Sequence, residues 1–292
     1  MSYIVDNAII MAAGYASRFA PLSYECPKAL LNIKGEVLIE RQIRQLREAG
    51  IKEIIVVVGY KKEMFSYLQD TFGVILVENA EYNIKNNHST IYAVKDYLKN
   101  SYICSADNYF PKSPFESEVD ETYYSAVYSS GYTKEWCMEY DEEDWITNVT
   151  IGGENSWYML GHAFWSEEFS KKYVSFLEEA YKFPETKDKF WEEIYMEHID
   201  CLKMKIRRYS EYDIFEFDSL EELRFFDEKY KQKTGSRIME YIAEKLMVSE
   251  SEIIDIIPSK NEIGQVTGFL FSVNNQKYQY NYESQLLVIK GI

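Results

Sequence analysis

The chain has 292 residues, enough for one large domain or one large and one small, and 46% of them are hydrophobic, which allows a substantial core. With 48 acidic against 32 basic residues the net charge is −16, which argues against a nucleic-acid backbone as the main partner. The cysteines Cys26, Cys104, Cys137 and Cys201 are scattered, with no CxxC pair and no companion histidine spacing, so neither structural zinc nor a disulfide framework is implied.

The opening stretch lacks the basic region and long apolar run of a signal peptide, and no run approaches a membrane span. The expected location is therefore cytoplasmic, with no membrane partner. Ala8 to Met11 reads as a buried strand entering a tight loop at Ala12-Ala13-Gly14. Leu38 to Ala49 has helical spacing and is closed by Gly50. Glu53 to Val58 is a β-branched run suited to a fully buried parallel strand. Glu63 to Phe72 reads as a helix, Val74 to Val77 as a strand, Ser89 to Leu98 as a helix and Tyr102 to Cys104 as a strand.

This alternation predicts an α/β fold, a mostly parallel Rossmann-like sheet with helices on both faces. Ligands in such sheets bind beyond the carboxyl ends of the strands, so the loops after Met11, Val58 and Cys104 are expected on one rim. Tyr123 to Tyr128, Cys137 to Tyr140 and Tyr158 to Trp165 read as antiparallel additions. Helices are expected over Ser166 to Tyr181 and Lys189 to Ile199, a late strand over Asp213 to Phe217 and a helix over Leu220 to Lys231. Thr234-Gly235-Ser236 marks the expected boundary between a domain of residues 1–233 and a small α+β domain of 234–292. The latter has a helix over Arg237 to Met247 and strands over Ile253 to Ile257, Gly268 to Val273, Lys277 to Tyr282 and Gln285 to Ile289.

The chemistry-bearing segment is Ala12-Ala13-Gly14-Tyr15-Ala16-Ser17-Arg18, followed by Pro27-Lys28-Ala29-Leu30. Small residues let backbone N–H groups approach phosphate oxygens, while Arg18 adds a fork of donors and Lys28 a point charge. The loop is neither a Walker loop nor a GxGxxG fingerprint. A carboxylate at a strand end, Asp107 in Ser105-Ala106-Asp107-Asn108, is placed to hold Mg²⁺ or to make an Asp-Asn turn. In Glu216-Phe217-Asp218-Ser219, strand alternation would put Glu216 and Asp218 on one face, with Ser219 capping the next helix.

The pattern AAG-x-x-SR followed by PKALL resembles the sugar-nucleotide and alcohol-phosphate nucleotidyltransferases, which usually have Gly where this chain has Ala16. That resemblance implies Mg²⁺ as cofactor, with Asp107 and Asp218 as ligands. Glu216 is a further ligand, a supporting group or a solvated carboxylate. Ile54 to Tyr60, Asn86-Asn87, Ala106 to Tyr109, Glu135-Trp136, Phe190-Trp191 and Phe215 to Ser219 narrow the resemblance to bacterial CTP:phosphocholine cytidylyltransferases, over roughly Ala8 to Lys231. The implied substrates are CTP and a small phosphorylated amino alcohol, and the implied catalytic residues are Arg18 and Lys28.

A trimethylammonium group is recognised by aromatic faces and a nearby carboxylate, for which Trp136, Tyr158, Phe190, Trp191 and Glu192 are candidates, with Tyr195 as a further wall. Adjacent helical residues point apart, so at least one of Phe190 and Trp191 is expected to pack instead. Nucleotide-binding candidates are Ala12, Ala13, Gly14, Tyr15, Ala16, Ser17, Gly59, Tyr60, Asn87, Ser89, Thr90 and Ala106. His88 reads equally as a loop residue, and His162 and His198 read as structural.

Gly268 to Val273 leading to Lys277-Tyr278 faintly resembles the opening strands of a choline kinase-like lobe; no catalytic loop follows, so a structural or interaction role, including a homodimer contact, is expected. The same chemistry on phosphoethanolamine, 2-aminoethylphosphonate or a sugar phosphate is the alternative activity. A non-catalytic nucleotide-binding regulator is the alternative of another class.

Overall fold

The computed structural model of the protein describes residues 2–262, 264–285 and 287–289. The chain divides into two compact units: Met1–Gly14 with Leu38–Glu216, and Tyr15–Val37 with Phe217–Ile292.

The first unit is built on a seven-stranded sheet. Its strands in chain order are β1 (Asn7–Ala12), β2 (Glu53–Val58), β3 (Ile75–Glu78), β4 (Ser101–Ser105), β5 (Tyr123–Tyr140), β6 (Ile146–Trp165) and β7 (Lys205–Tyr209). In space they run β7-β5-β6-β4-β1-β2-β3. Strands β1 to β4 pair in parallel, and β6 runs against both β4 and β5. The sheet is flanked by helices α1 (Leu38–Glu48), α2 (Tyr67–Phe72), α3 (His88–Ala93), α4 (Glu167–Ala180) and α5 (Trp191–Glu197). This is the expected α/β architecture with antiparallel additions.

The β-branched runs of β1 and β2 supply fully buried side chains such as Ile9, Ile55 and Val57, joined in one core by Trp165, Tyr173, Trp191 and Tyr195. Each such aliphatic side chain contributes roughly 1.5–3 kcal/mol on burial. In α1 the apolar stripe Leu38, Ile39, Ile43 and Leu46 is buried, and Gly50 follows at φ +90, a conformation open to glycine.

Several elements are shorter or longer than their patterns. The expected helix from Glu63 is a 3-10 turn (Lys62–Phe65) followed by α2, and the helix from Ser89 ends at Ala93 before a separate 3-10 turn (Lys95–Tyr97). The expected strand pieces between Tyr123 and Trp165 are two long, bulged strands forming one ribbon.

In the second unit, α6 (Leu220–Phe226) stops before Asp227, whose carboxylate accepts the Lys34 N–H at 2.7 Å; the expected longer helix resumes as a single turn at Lys229–Gln232. Beyond it lie α7 (Arg237–Leu246) and an antiparallel sheet of β8 (Ile254–Lys260), β9 (Val266–Val273), β10 (Gln276–Asn281) and β11 (Leu287–Ile289). Leu286, within the last expected strand, lies outside the described residues.

The division differs from the one expected at residue 234. The Tyr230 hydroxyl donates to the Asn32 carbonyl at 3.0 Å, the Arg237 N–H donates to Glu25, and Tyr24 stacks on Tyr282 with ring centroids 3.8 Å apart. The buried Arg224 guanidinium donates to the carbonyls of Glu250 and Ile253. These bonds draw residues 15–37 and 217–233 into the unit that holds the small sheet. Sequence proximity carries no sign of them.

Candidate active site

The segments that follow β1, β2, β3 and β4 meet at the carboxyl ends of the parallel strands. The Tyr60 N–H donates to the Ala13 carbonyl at 3.0 Å, the Ala106 N–H to the Met11 carbonyl at 3.1 Å and the Asn79 N–H to the Val58 carbonyl at 2.8 Å. The expected shared rim is therefore present. Gly59 is required there by space: a Cβ would sit 2.7 Å from the Tyr82 ring and 2.9 Å from the Ala13 oxygen. Gly14, by contrast, faces open space.

The phosphate-loop sequence continues into the second unit as Tyr15, Ala16, Ser17 and Arg18. Ala16 adopts the left-handed conformation (φ 50, ψ 52) immediately before the 3-10 turn Ser17–Phe19. This is the backbone that glycine takes without a steric penalty, so Ala16 keeps the glycine path at a cost of about 1 kcal/mol. Lys28 opens the turn Lys28–Leu30, is buried, and its ammonium lies 5.6 Å from the centroid of the Phe19 ring. Arg18 Nη1 pairs with Asp218 Oδ2 at 2.7 Å, with side chains 73% and 36% exposed. A pair that open to water contributes under about 1 kcal/mol and exchanges readily for stronger charged partners.

In the first unit, α1 holds the segment that carries Asp107. Gln42 Nε2 donates to the Ser105 carbonyl at 3.1 Å, Gln45 Nε2 to the Phe110 carbonyl at 2.9 Å, and Arg41 to the carbonyls of Phe110 and Pro111. Asn108 pairs across a short antiparallel ladder with Glu216, and its amide reaches the Glu216 carboxylate at 3.4 Å. Burial first, and then the carboxylates of Glu192, Glu216 and Asp107, push the Tyr124 hydroxyl pKa well above the ordinary tyrosine value.

The strand at Phe215–Glu216 does not extend to Asp218, so alternation does not relate the two carboxylates. The Asp218 N–H instead donates to Glu222 at 2.6 Å, and the Ser219 hydroxyl caps α6 as expected. Among the described residues no three acidic, cysteine or histidine side chains gather into a metal cage. A hard-oxygen set of separate carboxylates suits Mg²⁺, which takes one or two carboxylates and completes its shell with phosphate and water.

At the start of α5 the aromatics separate by role. Phe190 is exposed and meets Trp136 edge-on, with centroids 5.5 Å apart and planes at 81°. Trp191, offered by sequence as a possible ligand wall, is a core residue: it is 1% exposed, stacks on Tyr124 at 5.6 Å and packs on Trp165 and Tyr173. Tyr195 is likewise fully buried in the core. The half-buried Glu192 accepts from the Tyr124 hydroxyl at 3.3 Å and from Asn87 Nδ2 at 3.3 Å, and burial pushes its carboxyl up to about 7. Tyr158, half-buried on β6, has its hydroxyl pKa raised by burial and then by Glu135 and Glu216.

The base-side candidates are engaged within the chain. Ser89 and Thr90 are buried and accept from Asn79 Nδ2 at 2.9 and 3.2 Å, while Ser89 Oγ donates to the Asn86 carbonyl at 2.8 Å. Asn87 faces α5, accepting the Trp191 N–H at 2.7 Å. Asn79, which organises this group, carries no sequence signal beyond its place after a strand. His88 is a buried helix residue whose Nδ1 donates to the Lys189 carbonyl at 2.7 Å. His162 accepts from or donates to the Tyr123 hydroxyl at 2.9 Å within an aromatic cage, and burial drops its pKa to about 3.

A family model for the MobA-like NTP transferase domain matches residues 8–114. The choline-phosphate cytidylyltransferase of Streptococcus pneumoniae is 35% identical over 227 residues, 78% of this chain and 99% of that protein. The 2-aminoethylphosphonate cytidylyltransferase of Lancefieldella rimae is 38% identical over 228 residues, 77% of this chain and 93% of that protein. The solved structure of the Streptococcus pneumoniae CTP:phosphocholine cytidylyltransferase has a TM-score of 0.74 at 36% identity, covering 77% of this chain and 99% of that one. The inositol-1-phosphate CTP transferase of T. maritima, 18% identical with a TM-score of 0.58, shares the fold. About a fifth of this chain thus lies beyond its match to these relatives. The mostly parallel sheet, the identity and the near-complete coverage of the relatives place this chain among the nucleotidyltransferases, as a member of the choline-phosphate cytidylyltransferase family.

Proposed function

We propose that the protein transfers the cytidylyl group of CTP to phosphocholine, releasing pyrophosphate. The observation that carries the acceptor is the half-buried Glu192 carboxylate, two residues along the chain from the exposed Phe190, whose ring meets Trp136 edge-on. A trimethylammonium group offers no N–H donor and is held by aromatic faces and a fixed negative charge. A bound cation also favours the charged form of Glu192 that burial alone disfavours.

In the proposed reaction an oxygen of the acceptor phosphate attacks the α-phosphorus of CTP, and the bond to the pyrophosphate oxygen breaks. A phosphate monoester is largely ionised near neutral pH, so no protein base is needed. This agrees with His88 and His162 being buried on structural partners. Arg18 and Lys28 are assigned to the triphosphate, where they neutralise charge as it shifts to the leaving group. Arg18 reaches that role by exchanging Asp218 for phosphate. Asp107 and Asp218, with Glu216 as a supporting carboxylate, are assigned to hold Mg²⁺, which supplies charge neutralisation at the phosphates when bound.

A second reading, the same transfer to 2-aminoethylphosphonate, is favoured by the acidic surroundings of Tyr124 and Tyr158, which suit a primary ammonium that donates hydrogen bonds. The deciding experiment supplies each NTP with Mg²⁺ and a panel of phosphorylated acceptors and follows pyrophosphate. The expected result is a kcat/KM highest for CTP with phosphocholine. No release with that pair sinks the reading, and faster release with 2-aminoethylphosphonate moves the acceptor while keeping the chemistry.

A further inference from the structure

The tripeptide Asn86-Asn87-His88 holds the segment Lys187 to Glu192 through five hydrogen bonds. The Asn86 N–H donates to the Lys187 carbonyl at 2.7 Å and its side-chain amide to the Asp188 carbonyl at 2.9 Å. His88 Nδ1 meets the Lys189 carbonyl at 2.7 Å; a carbonyl only accepts, so the proton is on Nδ1. Asn87 Oδ1 takes the Trp191 N–H at 2.7 Å while its Nδ2 donates to Glu192 Oε2 at 3.3 Å. α5 has no side-chain cap from Ser, Thr, Asp or Asn at its own N-cap, because that position is Phe190. Asn87 therefore does from another element what a capping residue does locally: it satisfies an orphan N–H at the helix start.

The other side of the tripeptide leads to the parallel sheet. The Asn86 carbonyl accepts from the Ser89 hydroxyl and N–H, the Ser89 hydroxyl accepts from Asn79, and the Asn79 N–H donates to Val58 at the end of β2. The Asn87 N–H donates to Asn86 Oδ1 at 2.7 Å, so hydrogen bonds and the Asn86-Asn87 peptide join the sheet rim to the carboxylate of Glu192. Asn87 is the link that must donate and accept at once, which an amide does and a carboxylate or hydrocarbon does not.

We propose that Asn87 is a positioning residue for the acceptor: it fixes the Glu192 carboxylate and the start of α5, and so makes acceptor recognition depend on the state of the nucleotide rim. This rests on the reading that Glu192 receives the acceptor's cation. Ordering of the rim by CTP pre-orders the acceptor lip, and the two substrates bind with positive coupling.

The test uses the full chain and whichever acceptor gives the highest kcat/KM, so that an error in acceptor identity does not enter. Asn87→Asp keeps the oxygen for the Trp191 N–H but faces Glu192 with a second carboxylate. The acceptor KM is expected to rise about tenfold, the loss associated with a charge-assisted hydrogen bond, with the CTP KM within about twofold. In a Glu192→Gln background the same substitution is expected to cost under about threefold, because the repelled charge is gone.

Equal rises in both KM values, or full additivity in the double variant, would overturn the coupling. An unchanged acceptor KM in Glu192→Gln alone would instead overturn the cation reading on which it rests. The wild-type protein gives an independent measurement by calorimetry. Acceptor affinity is expected to be at least about fivefold tighter with a non-hydrolysable CTP analogue than without it, and equal affinities would refute the coupling.

Discussion

The proposed phosphate loop and the proposed acceptor lip are built on opposite plans. The loop is made of small residues and short turns, with one residue held left-handed at Ala16 and its arginine, three-quarters exposed, paired to Asp218. The lip is made of side chains drawn from β5, the residue preceding α3, and α5, and the Glu192 carboxylate within it is held by Tyr124 and Asn87. A triphosphate brings its own charge and size, so backbone amides and a few cations are enough for the proposed grip. A small cation brings no directional groups, so its site has to be set in advance by surrounding structure.

The largest break in this comparison is expected on the loop side. Lys28→Ala and Asp107→Ala should each lower kcat by at least about a hundredfold in pyrophosphate-release assays, since each removes a charge that the proposed mechanism assigns to the phosphates or their metal. Retention of full activity by Asp107→Ala would refute its assignment to the metal.

The lip should respond in binding instead. Glu192→Gln is expected to raise the acceptor KM by roughly ten- to a hundredfold while leaving the CTP KM within about twofold. Burial holds the Glu192 carboxyl up at about 7, so the charged form prevails above that pH. Affinity for choline, which has no titrating phosphate, should therefore fall as pH drops below 7, by up to about tenfold per unit, and Glu192→Gln should flatten that profile. Trp136→Ala is expected to cost about three- to thirtyfold in affinity for choline and less for a primary amine, measured by calorimetry.

Stability gives a smaller and separable contrast. His162 is fully buried and neutral, with its pKa lowered to about 3. A depressed folded-state value means that the unfolded chain binds the proton first. The stability is present above the unfolded value near 6.5 and declines as pH falls toward 3, by up to about 1.4 kcal/mol per unit. Urea unfolding at pH 7 and pH 4 should show the decline, and His162→Gln should reduce it. The smallest effect is expected from Ala16→Gly, which removes a left-handed alanine and should raise stability by at most about 1 kcal/mol, offset in part by a looser unfolded chain. A loss of stability in thermal melts would show that Ala16 is held by contacts rather than strained.

The parallel half of the fold was readable because its signals are local: β-branched runs at β1 and β2, an apolar stripe on α1 and a glycine after it. Helix ends were read less well. α6 stops where the Asp227 carboxylate takes the distant Lys34 N–H, and α3 stops at Ala93 although the apolar spacing runs on to Leu98. Residues 15–37 join the unit of the small sheet through Tyr24, Glu25 and Asn32, whose partners lie some 200 residues away in sequence.

What the sequence determined by itself was the class of chemistry, because the proposed phosphate grip needs only backbone approach and a few charges close together in the chain, from Ala12 to Lys28. The tertiary structure alone decided which of two adjacent rings faces outward, leaving Phe190 exposed and sealing Trp191 in the core. It alone gave Asn87, a candidate base reader by sequence, its bonds to Glu192 and to the start of α5. A side chain's role here follows from what lies across from it, and that is set by packing between elements rather than by spacing within them.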